Sequence, residues 1–190
     1  LTICDVHDCK PVAREIEAIG GEVLALKIDV AREEDTAEMA KKTFDRFGRI
    51  DILVNNAAII GALEVKDFVK PVEKIVSADW DRILAVNVKG VFLSCKAVIP
   101  YMKKQGSGKI VNLASTTAFT GLPEFIHYST SKGGVVTMTR GLATELGDFN
   151  INVNAVAPGL IMTEAMQSAF PADSFYLPGD GFTVMDIADG

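Results

Sequence analysis

Residues 109–157 read KIVNLASTTAFTGLPEFIHYSTSKGGVVTMTRGLATELGDFNINVNAVA, and this stretch decides the fold. Residues 109–113 (KIVNL) form a short apolar run of strand length, residues 126–146 a helix, and residues 151–157 (INVNAVA) a second strand that stops at Pro158-Gly159. Strand, long helix and strand in that order make a crossover between parallel strands. The same alternation continues toward the N-terminus. Residues 79–104 read as a long helix with Trp80, Ile83, Leu84, Val88, Val91 and Phe92 as its apolar positions. Residues 51–54 read as a buried strand that runs into Asn55-Asn56-Ala57-Ala58. Residues 33–47 form an amphipathic helix with Ala37, Ala40, Phe44 and Phe47 on one stripe and Gly48 closing it. Residues 22–28 (EVLALKI) are a strand, residues 8–19 a helix ending at Gly20-Gly21, and residues 1–4 a strand already under way at Leu1 and stopped by Asp5. Residues 160–190 are punctuated by Pro and Gly and weakly periodic.

This pattern predicts one α/β domain over residues 1–190: a doubly wound parallel sheet with helices on both faces. Ligands bind such sheets at the carboxyl ends of the strands. The chemistry is therefore expected just after Asp5, Ile28, Val54, Leu113 and Ala157.

Composition narrows the function. With 48% hydrophobic and 23% charged residues the chain is ordinary globular material rather than disordered. Its net charge of −6 excludes the clustered basic surface that nucleic acid requires. The most apolar run, residues 90–101, is interrupted by Lys96 and falls short of the ~18 residues of a membrane span. Three cysteines (Cys4, Cys9, Cys95) are odd in number and too few for a disulfide scaffold, which points to a reducing compartment, the cytoplasm. Cys4, His7 and Cys9 lie close together but match no tetrahedral zinc spacing, so no metal is expected.

Several residues could carry chemistry. Tyr128 and Lys132 are four apart on a helix and share a face. A tyrosine near pKa ~10 is a poor base at neutral pH, and a nearby ammonium favours the phenolate. Ser115 lies just past a strand, where its hydroxyl can bond a substrate oxygen. Asn87 sits inside a helix, where asparagine has poor propensity. Pro158-Gly159 follows the last strand, with Thr163 four residues beyond the glycine. Asp5 and Asp29 each end a strand. Singly, each of these also fits a helix cap, a loop turn or a solvated carboxylate. His127, beside Tyr128, fits substrate contact or a surface or interface role. Phe119, Leu122, Phe125, Met162, Met166 and Phe170 give either an apolar substrate pocket or core packing.

Taken together, Asp5, Asp29-Val30, Asn55-Asn56-Ala57-Ala58, Asn87 in NVKGVF, Ser115 in IVNLAS, Tyr128-Ser129-Thr130-Ser131-Lys132 and Pro158-Gly159-Leu160-Ile161-Met162-Thr163 resemble the short-chain dehydrogenase/reductase family. The motifs stand in the family's order across essentially the whole chain. The resemblance implies a Rossmann-type sheet and the interconversion of a secondary alcohol and a ketone by hydride transfer. It makes Tyr128 the general acid/base and Lys132 the group that lowers the tyrosine pKa and binds the nicotinamide ribose. Ser115 would orient the substrate oxygen, and Asn87 would hold a relay water. Asp5, at the end of the first strand present, would accept the adenosine ribose hydroxyls and repel a 2′-phosphate, favouring NAD over NADP. Asp29 and Val30 would border the adenine, Asn56 and Ala57 the adenosine, and Pro158, Gly159 and Thr163 the nicotinamide.

The family's helices also imply a homo-oligomer, dimer or tetramer, built on residues 79–104 and 126–146. Three departures stand out: Ala58 replaces the family's glycine, no Gly-rich loop occurs, and the chain stops before the family's last strand. In the family's strand order 3-2-1-4-5-6 the missing first strand is central. Residues 1–4 and 51–54 are therefore expected to flank a gap, and the 190 residues alone are expected to be inactive. Two other readings remain: a 3-oxoacyl-thioester reductase using NADPH, and a non-catalytic binding protein on the same fold.

Overall fold

A computed structural model describes residues 1–60 and 68–161. Five strands alternate with helices. β1 (Thr2–Asp5), α1 (Lys10–Ala18), β2 (Leu24–Lys27), α2 (Glu33–Phe47) and β3 (Ile52–Asn55) are followed by the long α3 (Ser77–Gln105). Then come β4 (Gly108–Leu113), a single turn α4 (Thr117–Thr120), α5 (Ile126–Leu146) and β5 (Ile151–Val156). All pairings are parallel: β1 with β2, β3 with β4 and β4 with β5. The Rossmann-type α/β layering read from the sequence is therefore present.

The strands form two sheets, β1-β2 and β3-β4-β5. Among the described residues, β1 and β3 each have one strand neighbour, so each presents an open edge. This corrects the reading of β3 as buried: Ile52 and Val54 are 60% and 56% exposed, and only Leu53 packs on the core. Helices α2 and α3 join the two sheets. Thr43 of α2 bonds Thr2 of β1 at 2.9 Å, and Lys96 of α3 reaches Glu33 of α2 at 2.5 Å.

The core lies between the three-stranded sheet and α3, α5 and α2. Val98, Met102, Ile110, Val135, Leu146 and Ile151 are at most 2% exposed. Helix α2 buries Thr36, Met39 and Ala40, with Phe44 partly covered, whereas Ala37, expected on that stripe, faces solvent. Thr36 tolerates burial because its hydroxyl donates to the Glu33 carbonyl at 3.0 Å. Gly48 adopts φ 72° and ends α2 in the left-handed conformation that glycine takes without strain.

Helix α3 runs two residues beyond the expected N-terminal limit and is long and apolar enough to cross a membrane, which residues 90–101 alone were not. Here it is a core helix: Val91, Cys95, Val98 and Met102 are buried in the cluster shared with the sheet and α2. Its middle, Ala85–Gly90, is wound as a π-helix, a local widening that recurs at functional sites. Gly90 is needed there, because a Cβ would sit 2.7 Å from Cγ2 of Val30.

Candidate active site

Strand β4 ends at Leu113, and the chain beyond it carries Ala114 and Ser115 into the turn that starts α4. The carbonyl of Leu113 accepts a 2.6 Å hydrogen bond from Nζ of Lys132, one turn and a half into α5. Ser115 is 7% exposed, and its hydroxyl oxygen accepts the Thr117 amide at 3.2 Å. Tyr128 and Lys132 are 5% and 4% exposed, with Nζ 5.7 Å from the centre of the phenol ring. The fold thus brings Ser115, Tyr128 and Lys132 to the carboxyl end of β4.

The electrostatics differ from the sequence expectation. Burial pushes the Tyr128 phenol above its ordinary pKa, and only the Ser115 hydroxyl opposes that shift. The lowering expected from Lys132 does not appear, since its ammonium is anchored at the Leu113 carbonyl and lies over the ring. Burial in turn lowers Lys132 to about 8. The pair is therefore a neutral phenol beside a lysine that releases its proton easily.

Asn87, in the π-helical segment, is 1% exposed and clamps two elements. Its Oδ1 accepts the Ile59 amide at 2.7 Å, and its Nδ2 donates to the Ile59 carbonyl at 3.1 Å and to Ser131 Oγ at 3.1 Å. Both amide protons are thus committed. The side chain holds the chain after β3 against α5. Ser131 passes the contact on by donating to the Tyr128 carbonyl at 2.7 Å.

The cofactor candidates sit at the other strand ends. Oδ1 of Asp5, just at the end of β1, accepts the His7 amide and meets His7 Nδ1, each at 2.8 Å. The amide bond first, and the ring second, hold this carboxyl below the usual range. The Asp5 side chain is more than half exposed. Asp29, after β2, receives the Ala31 amide at 2.9 Å on Oδ1, and Val30 packs on Gly90. Asn56 and Ala57 are exposed past β3. Pro158 accepts the Thr116 amide at 3.0 Å, and Gly159 lies with open space around its Cα except for Thr116. Thr163, Met162, Met166 and Phe170 lie outside the described residues. Cys4, His7 and Cys9 do not converge: Cys4 Sγ contacts Met39 Sδ at 3.6 Å, Cys9 contacts backbone carbonyls, and His7 binds Asp5.

The donor chemistry fits a nicotinamide dinucleotide at its two ends, an exposed carboxylate at the end of β1 and a buried ammonium at α5. Among the described residues no glycine turn follows a strand to receive a pyrophosphate.

Two features escaped sequence reasoning. A buried polar chain crosses the sheet: Asn55 donates to Asn112 Oδ1 at 2.8 Å, Asn112 donates to Thr139 at 2.9 Å, and Thr139 donates to the Val135 carbonyl at 2.7 Å. Its signal was available in Asn112, an asparagine inside an apolar strand. The burial of His127 is the other. The residue is 1% exposed and stacks on Phe68 at 4.7 Å, so neither a surface nor an interface role holds.

Comparison with known proteins bears on the family and the fold. A 3-oxoacyl-[acyl-carrier-protein] reductase of Synechocystis is 40% identical over 157 residues, 83% of this chain and 61% of that protein. A gluconate 5-dehydrogenase from Burkholderia cenocepacia, solved with NADP and tartrate, superposes with a TM-score of 0.81 at 30% identity, covering 91% of this chain and 66% of that one. An NAD+-bound xylitol dehydrogenase superposes with a TM-score of 0.78 at 34% identity, covering 87% and 62%. The chain spans about three fifths of the length of the curated relatives it matches. The short chain dehydrogenase model matches residues 1–174, and the chain belongs to that family.

Proposed function

We propose that the protein carrying these residues is an NAD-dependent oxidoreductase that interconverts a secondary alcohol and a ketone, with Tyr128 as general acid/base. The observation that carries this reading is the buried set of Ser115, Tyr128 and Lys132 at the carboxyl end of β4. When bound, the nicotinamide accepts or delivers the hydride. Ser115 holds the substrate oxygen through its hydroxyl. In the reductive direction the Tyr128 hydroxyl gives its proton to that oxygen, and the neutral phenol described above suits this direction at pH 7. In the oxidative direction the Tyr128 phenolate takes the proton, and the Ser115 hydroxyl opposes the upward shift that burial imposes on the phenol. Asn87 and Ser131 keep the Tyr128 turn in place from behind. Lys132 and Pro158 lie where the nicotinamide end would rest, with Gly159 and Thr163 beside them by family analogy, while Asp29, Val30, Asn56 and Ala57 serve the adenosine end.

Asp5 supports NAD over NADP. A carboxylate held ionised by the His7 amide accepts ribose hydroxyls and repels a 2′-phosphate. A 3-oxoacyl-thioester reductase is the second reading, favoured by the 40% identity to the Synechocystis reductase. Steady-state rates of the full-length protein, with NAD and NADP against a panel of secondary alcohols and with NADH and NADPH against ketones and 3-oxoacyl thioesters, test both. NAD-linked alcohol oxidation supports the first reading, and an NADPH-specific thioester reductase replaces it. We propose further that the protein is a cytoplasmic dimer or tetramer joined through α3 and α5, on which Phe92 and Ile126 are 49% and 46% exposed.

A further inference from the structure

His127 is one of two histidines in the chain, and its surroundings are unlike those of an idle core residue. Its Nδ1 receives the Tyr128 backbone amide at 2.8 Å. An imidazole nitrogen that accepts a hydrogen bond carries no proton, so the neutral ring must hold its proton on Nε2. Nε2 is buried and has no hydrogen-bond partner among the described residues. The ring stacks on Phe68, which also meets Tyr128 edge-on at 6.1 Å and Phe125 at 5.9 Å. The charged groups facing it are Lys70, from the segment after Phe68, and Asp79 of α3, paired with each other at 3.0 Å. The other titratable neighbour is Tyr128 itself.

We propose that His127 is a positioning residue for Tyr128: its neutral imidazole accepts the Tyr128 amide at Nδ1, wedges the first turn of α5 against Phe68, and releases that turn when it becomes protonated. The inference rests on Tyr128 as the acid/base. The tyrosine amide belongs to the first turn of α5, where backbone N–H groups lack helical partners. A protonated ring donates from both nitrogens, so Nδ1–H and the Tyr128 N–H would then face each other. Burial lowers the His127 pKa, which keeps the accepting form in place through neutral pH. The backbone carbonyls of Phe125 and Phe68 oppose that shift, and of the Lys70–Asp79 pair Lys70 disfavours and Asp79 favours the charged ring.

The test uses the full-length protein and two readouts. By nitrogen NMR, His127 should be the Nε2–H tautomer and should titrate below the ordinary imidazole range. In kinetics of the reductive direction, the acid limb of kcat against pH should disappear in His127→Asn, whose amide oxygen can accept the same hydrogen bond without titrating. His127→Phe, which keeps the stack and loses the acceptor, should lower kcat roughly ten- to a hundredfold at pH 8 with KM for cofactor little changed. An Nδ1–H tautomer, or an acid limb unaltered in His127→Asn, overturns the proposal. Tyr128→Phe separates the two claims: if it turns over normally, the acid/base reading fails, while the tautomer and titration still judge the His127 contact.

Discussion

Lys132 shows how a single side chain is tuned by the fold around it. Four tetrahedral carbons and an ammonium are buried to 4% exposure, and one carbonyl, that of Leu113, answers the charge. The folded pKa of about 8 lies below the unfolded value of ~10.4. Between these values the unfolded chain binds more protons, so this residue costs stability at neutral pH and that cost fades as pH rises through the window. Wild type should therefore gain about 1 kcal/mol of stability relative to Lys132→Met between pH 7.5 and 9. Urea unfolding of both at the two pH values checks this, and parallel stabilities contradict it. At this scale the sequence was informative wherever chemistry demands a residue type at fixed spacing, as with Tyr128 and Lys132. It pointed to a lowered Tyr128 pKa, opposite to the shift that burial produces, and was silent on the burial of His127. Both depend on Phe68, sixty positions away, and on how deeply α5 sinks into the layer.

At the scale of elements, periodicity located every strand and helix of the sheet layers to within two residues, because long amphipathic runs have few alternatives. The single turn α4 and the π-helical segment of α3 were not legible, since neither has a period of its own. Asn87 lacked an evident partner in sequence for the same reason: its clamp on Ile59 joins a helix to a loop that no pattern predicts. The buried chain from Asn55 through Asn112 to Thr139 ties β3, β4 and α5 at the level of the site. Removing its centre leaves a donor and a hydroxyl without partners in the core. Asn112→Ala should destabilise the protein by about 2–3 kcal/mol. A thermal or denaturant midpoint within error of wild type would contradict that, and Asn112→Asp at low pH should recover part of the loss.

At the scale of the whole molecule, the open edges of β1 and β3 are the defining feature. Each carries a row of backbone donors and acceptors on the side away from its partner, and Ile52 and Val54 lie exposed on β3. We propose that a further strand belongs between them and that full cofactor affinity requires it. The 190 residues by themselves should then self-associate and bind NAD weakly, since unpaired edges template contacts with other chains. Light scattering and calorimetry test this; a monodisperse chain with micromolar NAD affinity contradicts it. The account as a whole stands on one assignment, that Ser115 and Tyr128 meet a substrate oxygen while Lys132 supports them. The most direct measurement is turnover and NAD binding of Tyr128→Phe in the full-length protein. We predict a loss of at least about a hundredfold in kcat with NAD affinity retained; a variant as active as wild type would show that Tyr128 is not the acid/base.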